Sequence, residues 1–246
     1  MISISRWLLI AVVLSAGAAD AQRRDDRGRG RPEGPASRYA DPSGVISAEI
    51  LVNRLAVERG RWTALARTGA RDAILFVPRP VYAQPWLKGQ RGAAPSIRWQ
   101  TRRVFMSCDG NAALTTGQWV QSDGLRGAYS NVWRRDAKAG FQWILSNSGG
   151  ATRPAEPTDE IDARVAYCRR SGGGRPYDAA KRNGAHDAAV VVDIRQPAPM
   201  NGEGRSPDGS LRWTWVVAPD GSRTLNAWMA TETGETQILA DEVPAP

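Results

Sequence analysis

Between Ser96 and Asn147 four strand-like segments follow one another with only tight reversals between them. This run limits the fold more than any other stretch. Ser96–Cys108, Ala112–Gln121, Arg126–Arg135 and Phe141–Asn147 are rich in Trp, Val, Thr and Tyr. Asp109-Gly110, Asp123-Gly124 and Lys138-Ala139-Gly140 separate them and are hairpin signals. Segments joined so closely pair as antiparallel neighbours, so the chain is expected to build a curved antiparallel sheet of at least four strands. Alternation puts Tyr129, Asn131 and Trp133 on one face of their strand and Ser130 and Val132 on the other. By the same rule Phe141, Trp143 and Leu145 share a face.

A sheet with one apolar face needs a cover, and the preceding residues supply one. After Asp41-Pro42-Ser43, a helix start, Val45–Arg59 places Ala48, Leu51, Val52, Leu55 and Ala56 on one stripe. Glu49, Asn53, Arg54 and Glu58 fall on the opposite side, with Arg54 and Glu58 four apart. Gly60 breaks this helix, and a shorter one over Trp62–Thr68 stops at Gly69. Ala73–Val77 reads as a strand entering the turn Pro78-Arg79-Pro80, and Ala83–Leu87 as one helical turn closed by Lys88-Gly89. The fold class is therefore α+β, with the first helix laid on the sheet.

The C-terminal third reads differently. Residues 149–187, with Pro154, Pro157 and Gly172-Gly173-Gly174, form a connector. Strand patterns return over Ala188–Ile194, then Leu211–Val217 and Arg223–Thr231 around Pro219-Asp220-Gly221, and finally Thr236–Leu239. This is a small β-rich appendage, 188–246, in which Trp213, Trp215 and Trp228 are expected to cover a second apolar face.

The other end of the chain concerns location. Residues 1–21 have a short basic start at Arg6, an apolar run over Trp7–Ala16 and small residues at Ala19-Asp20-Ala21, the pattern of a cleavable signal peptide. The run is shorter than the ~20 residues a spanning helix needs, and no later stretch approaches a membrane span. Export to the periplasm or beyond, with cleavage near Ala21, is expected. Residues 22–40 hold several Arg and Gly and little to bury, so they read as a disordered basic linker. The net charge of +8 is spread along the chain and gives solubility; no nucleic-acid partner is expected of an exported protein. In an oxidising compartment Cys108 and Cys168 favour a disulfide, with two free buried thiols as the alternative.

Two helices, a strand, a short helix and a long meander is an order that resembles the NTF2-like cone. Trp62-Thr63-Ala64-Leu65 through Asp72–Pro78 is similar to the corresponding stretch of its DUF4440 and SnoaL-like branches. Thr115-Thr116-Gly117-Gln118-Trp119, Asn131-Val132-Trp133-Arg134-Arg135 and Phe141–Leu145 add to the likeness. The resemblance covers residues 45–148 and implies helices packed on a curved sheet over 41–148. It implies no single activity, because the same cone hosts isomerases, cyclases, dehydratases and ligand binders.

Ketosteroid isomerases on this cone use an interior Asp base and an oxyanion hole of Tyr and protonated Asp. Here the four meander segments carry no Asp or Glu facing inward: Asp109, Asp123 and Asp136 fall in turns. Asp72, beside the first strand, is the remaining candidate acid–base group of the sheet, with Tyr129 as its partner. The single histidine, His186, sits in a loop-like stretch, so neither a histidine-rich metal site nor a Ser-His-Asp triad is expected, and no cofactor is implied. Trp86, Trp99, Trp119, Tyr129, Asn131 and Trp133, with Trp143, either pack as core or ring a cavity for a small apolar or weakly acidic molecule. Arg98, Arg102, Arg103 and Arg134 are available to such a cavity for an anion. The leading expectation is an exported ligand-binding protein. The second is a lyase, cyclase or isomerase using Asp72 and Tyr129. The third is a structural envelope protein whose appendage makes a homodimer.

Overall fold

The computed structural model describes residues 40–90, 97–149, 160–168 and 193–246. The expected signal peptide, the basic linker up to residue 39, the triple glycine, His186 and residues 188–192 of the expected strand lie outside the described residues.

Helix α1 (Ser43–Arg59) begins where Asp41 accepts hydrogen bonds from the Ser43 N–H (2.9 Å) and hydroxyl (2.7 Å). It ends at Gly60, whose φ of +82° turns the chain directly into α2 (Arg61–Thr68). Strand β1 (Gly69–Phe76), a short β2 (Pro80–Tyr82) and α3 (Ala83–Lys88) follow. The meander is β3 (Ile97–Met106), β4 (Ala112–Gln121), β5 (Arg126–Asp136) and β6 (Gly140–Gly149), each antiparallel to the next.

The full sheet has the order β2-β1-β6-β5-β4-β3-β7, where β7 is Asp162–Val165. It is mixed and not purely antiparallel: β1 runs parallel to β6, and β7 parallel to β3. Both parallel strands enter through long connections, which tight-turn signals cannot report. Alternation on β5 is as expected: Tyr129 and Trp133 pack toward the helices, while Val132 faces away. On β6 it is not. A bulge opposite Val132 and Trp133 changes the parity, so Trp143 joins the helix-side core and Leu145 the other face.

The helix-side core holds Val45, Val52, Ala56, Trp119, Trp133 and Trp143. The stripe on α1 is rotated from its expected position. Val45, Glu49, Val52 and Ala56 are buried, while Leu51 is 39% exposed.

A second sheet, of order β11-β10-β9-β8, comprises β8 (Asn201–Arg205), β9 (Leu211–Val217), β10 (Arg223–Thr231) and β11 (Gly234–Val243). It covers the far face of the first sheet, so the C-terminal residues form a second layer with a shared core. Leu114, Val132 and Leu145 meet Trp213, Trp215 and Leu225 there, and Phe76 packs edge-on to Trp215 at 5.3 Å. Trp228 is not in that core: it lies on the opposite face of β10, under the Arg212 guanidinium at 3.9 Å.

Polar groups fix the two layers in register. Asp241 accepts hydrogen bonds from Ser130 Oγ and Asn147 Nδ2, both at 2.9 Å. Buried Arg223 donates to Asn147 Oδ1 (2.6 Å) and to the Ser148 carbonyl (2.5 Å). Cys108 and Cys168 form a disulfide beyond the ends of the parallel pair β3 and β7, with Cα atoms 5.3 Å apart.

Two stability outcomes follow from these ties. The bridge closes a separation of 60 residues. Replacing both cysteines by serine is expected to lower the unfolding free energy by up to about 4 kcal/mol on loop-entropy grounds, read from urea denaturation. Asp241→Ala strips the acceptor from Ser130 and Asn147 and leaves Arg223 with less countercharge. It is expected to cost about 2–4 kcal/mol, and Ser130→Ala about 1 kcal/mol, in the same assay.

Candidate functional site

Glu49 occupies a core position of α1, between Val45 and Val52, and is 5% exposed. A carboxyl taken out of water needs donors, and the opposing strands provide them. Trp133 on β5 donates its indole N–H to Thr115 Oγ1 on β4 at 2.9 Å. An indole can only donate, so the Thr115 hydroxyl is filled as an acceptor and its own proton is directed to Glu49 Oε1, to which it is bonded. Asn131 Nδ2 reaches the same oxygen at 3.5 Å. Tyr129 OH lies 3.3 Å from Oε2, and Thr101 Oγ1 on β3 lies 2.9 Å from Tyr129 OH. Gly117 makes room for this ring: a Cβ there would stand 2.8 Å from Tyr129 and 2.1 Å from the Gln100 carbonyl.

Every one of these partners is neutral, and none of the ion pairs among the described residues includes Glu49. Burial therefore pushes its carboxyl above the ordinary range, opposed in part by the hydrogen bonds from Thr115, Asn131 and Tyr129 and by the nearby Trp133 indole N–H. Burial, with the nearby Glu49 charge second, pushes the Tyr129 phenol well above its usual value. Asn131 Oδ1 is buried without a hydrogen-bond partner, so this neighbourhood holds more acceptors than donors.

Glu49 also forms part of a cleft of about 240 Å³ between α1 and β3. Ile50 and Asn53 line it from α1, Trp99, Gln100 and Thr101 from β3, and Ile161 from just before β7. Asn53 sets the separation of the two elements. Its side-chain amide donates to the Trp99 carbonyl (2.8 Å) and accepts from the Trp99 N–H (3.1 Å), as a neighbouring strand would. A second cavity of about 420 Å³ adjoins the first at Ile161 and is lined by Arg102, Glu160 and Asp162.

The residues expected from sequence are spread over three environments. Trp99 lines the cleft, and Tyr129 and Asn131 hold Glu49. Trp119 and Trp133, with Trp143, are buried as helix-side core, so they do not ring a cavity. Trp86 packs edge-on to Trp62 at 5.2 Å. Asp72 lies apart from the cleft, in a two-pronged pair with Arg134 at 2.8 and 3.0 Å on the surface. Burial acts to raise its pKa, but the Arg134 hydrogen bonds and charge outweigh this and hold it below the usual value. Arg98 and Arg103 are exposed on β3.

The sequence pattern sets Glu49 on the side of α1 opposite the apolar stripe, and the structure turns it inward. The signal that places it inward is its spacing, since Val45, Glu49, Val52 and Ala56 follow the three- and four-residue steps of one helix face. Among the described residues no cluster of three or more His, Cys, Asp or Glu side chains could hold a metal ion. No helix there is long and apolar enough to cross a membrane.

No protein-family model matches the sequence, and no curated protein matches it. Solved structures do. A candidate ketosteroid isomerase from Parabacteroides distasonis is 16% identical, with 46% of this chain and 96% of that one covered and a TM-score of 0.36. ActVI-ORFA from Streptomyces coelicolor is 14% identical over 44% of this chain and 95% of its own, with a TM-score of 0.33. An NTF2-like superfamily protein from Salmonella enterica is 10% identical over 45% and 96%, with a TM-score of 0.28. On the arrangement of its own elements, three helices packed on one face of a long meander, the region from α1 to β6 has an NTF2-like fold.

Proposed function

We propose that the protein works outside the cytoplasm on a small organic molecule held in the cleft between α1 and β3, and that Glu49 exchanges a proton with it. One observation carries this reading: a buried carboxyl, with no countercharge among the described residues, belongs to the lining of an open cleft. A carboxyl kept only for packing is costly at such a position, whereas an acid–base group gains from a pKa moved toward the working pH. Tyr129 suits either state of Glu49. Its hydroxyl donates to the ionised carboxylate, or accepts from the protonated acid while donating to Thr101. Glu49 thus takes the role that the family resemblance assigned to Asp72, whose pairing with Arg134 keeps it ionised. Among the described residues the cleft lining carries no basic side chain, so a weakly acidic ligand would enter uncharged. A binding protein without turnover would use the same cleft, with Trp99 as its aromatic wall. The disulfide and the leader-like residues 1–21 support export.

The chemical test is deuterium exchange in D2O at the α-carbon of cyclohexanone and of 3-quinuclidinone, two enolisable ketones that differ in charge. Exchange above the buffer rate is expected for at least one of them. Glu49→Gln should lower it about 10²-fold or more, while Asp72→Asn leaves it in place. Unchanged exchange in the Glu49 variant would sink the reading.

The pH dependence of stability has a definite sign. A carboxyl raised by burial binds its proton more tightly folded than unfolded, so stability falls as pH rises from the ordinary glutamate range through the folded pKa. Glu49→Gln removes that loss. Urea midpoints should show the variant gaining on the parent protein between pH 4 and pH 8, with the smallest difference at the acid end.

A further inference from the structure

The ligand class can be taken further, on the footing of the reading above. We propose that the cleft selects a small organic cation, a protonated amine carried on an apolar body, which pairs with the Glu49 carboxylate. Three independent features point to this chemistry. Glu49 has no cationic partner among the described residues, so a bound ammonium would supply a countercharge in a site of low dielectric. The neighbourhood is short of donors, with the Asn131 oxygen buried and unpartnered beside the carboxyl, and an ammonium brings donors without acceptors. The walls are Ile50, Ile161 and Trp99: two aliphatic side chains for the body of the ligand, and an indole that attracts a cation.

The charged surroundings are compatible with such a guest. Tyr129 is the one titratable side chain bonded to Glu49 among the described residues, and it is held protonated. Arg54 on α1 points to Glu58 and is exposed. Arg98 and Arg103 on β3 are exposed. Arg102 lines the adjoining cavity with Glu160 and Asp162 and donates to Gln100 Oε1 at 3.2 Å, while Asp162 pairs with Arg164 at 2.8 Å. Among the described residues no lysine or arginine lines the cleft itself.

Binding then has a proton balance. Where the free protein holds Glu49 protonated, the ammonium enters, the carboxyl O–H proton leaves to solvent, and the pair is carboxylate with ammonium. Up to one proton is released for each amine bound, without change in any other covalent bond.

The test is isothermal titration of the full-length protein with cyclohexylammonium and with cyclohexanol, which differ in the charged group and little in bulk. Each titration is run at one pH in phosphate and in Tris, so that proton release appears as a buffer-dependent heat. The ammonium is expected to bind at least 10-fold tighter than the alcohol, with proton release that Glu49→Gln abolishes together with the preference. Trp99→Leu, which leaves the buried network in place, should weaken the ammonium more than the alcohol. Equal binding of both probes that still depends on Glu49 would overturn the cation class and leave the proton-exchange reading standing. Binding of both probes that is indifferent to Glu49→Gln and to Trp99→Leu would overturn the two together.

Discussion

A carboxyl on the apolar face of a helix can stay there only if the opposing surface answers it, and that requirement organises the helix side of this fold. Glu49 is met by Thr115 from β4 and by Tyr129 and Asn131 from β5, and Thr115 is in turn oriented by Trp133. These bonds fix how far α1 is rotated about its axis. They explain why Thr115 on β4 and Tyr129 and Asn131 on β5 stand buried beside an otherwise apolar helix-side core. An unmet donor or acceptor in such a place costs about 1–3 kcal/mol, comparable with burying a large aliphatic side chain, so the network competes with the apolar stripe in setting the helix orientation.

The network depends on strands that cannot slip, and the second sheet provides for that. A one-residue shift of β4 or β5 would exchange the residues facing Glu49 with those facing Trp213 and Trp215. Leu114 and Val132 are held in the core between the sheets, and Ser130 and Asn147 are bonded to Asp241. Thr115, Asn131 and Trp133 lie next to them in sequence and on the opposite face, so fixing one face of the strand fixes the other. The C-terminal layer is far from Glu49 in sequence, yet it contributes to the positioning of the carboxyl's donors.

Much of this was legible from local pattern. The meander from β3 to β6 and the hairpin of β9 and β10 were marked by Asp-Gly and similar turns, because a hairpin is decided by the residues at its own reversal. What was not legible is non-local. The parallel pairing of β1 with β6 and of β7 with β3 joins segments separated by long connections. The β6 bulge moved Leu145 to the other face through a change of count that alternation alone cannot show. Glu49 was missed for a different reason. The stripe of Ala48, Leu51, Val52, Leu55 and Ala56 sets it on the opposite side, whereas its spacing with Val45, Val52 and Ala56 is the stronger indicator of where it points.

The distribution of aromatic side chains decides where a site can exist at all. Trp119, Trp133 and Trp143 fill the space beneath the helices, so the cone has no deep aromatic pocket at those positions. The cleft lies at its edge, between α1 and β3, where the Asn53 side chain holds the two elements by a pair of bonds to the Trp99 backbone and Trp99 lines a gap the core does not occupy. The chain carries +8 overall, and in solution that field favours anions. Such a field is damped beyond about 8–10 Å at physiological salt, whereas a carboxyl in a poorly hydrated floor acts at contact distance with little screening. What the cleft prefers is therefore set by Glu49 and the walls beside it, even where their sign opposes that of the molecule as a whole.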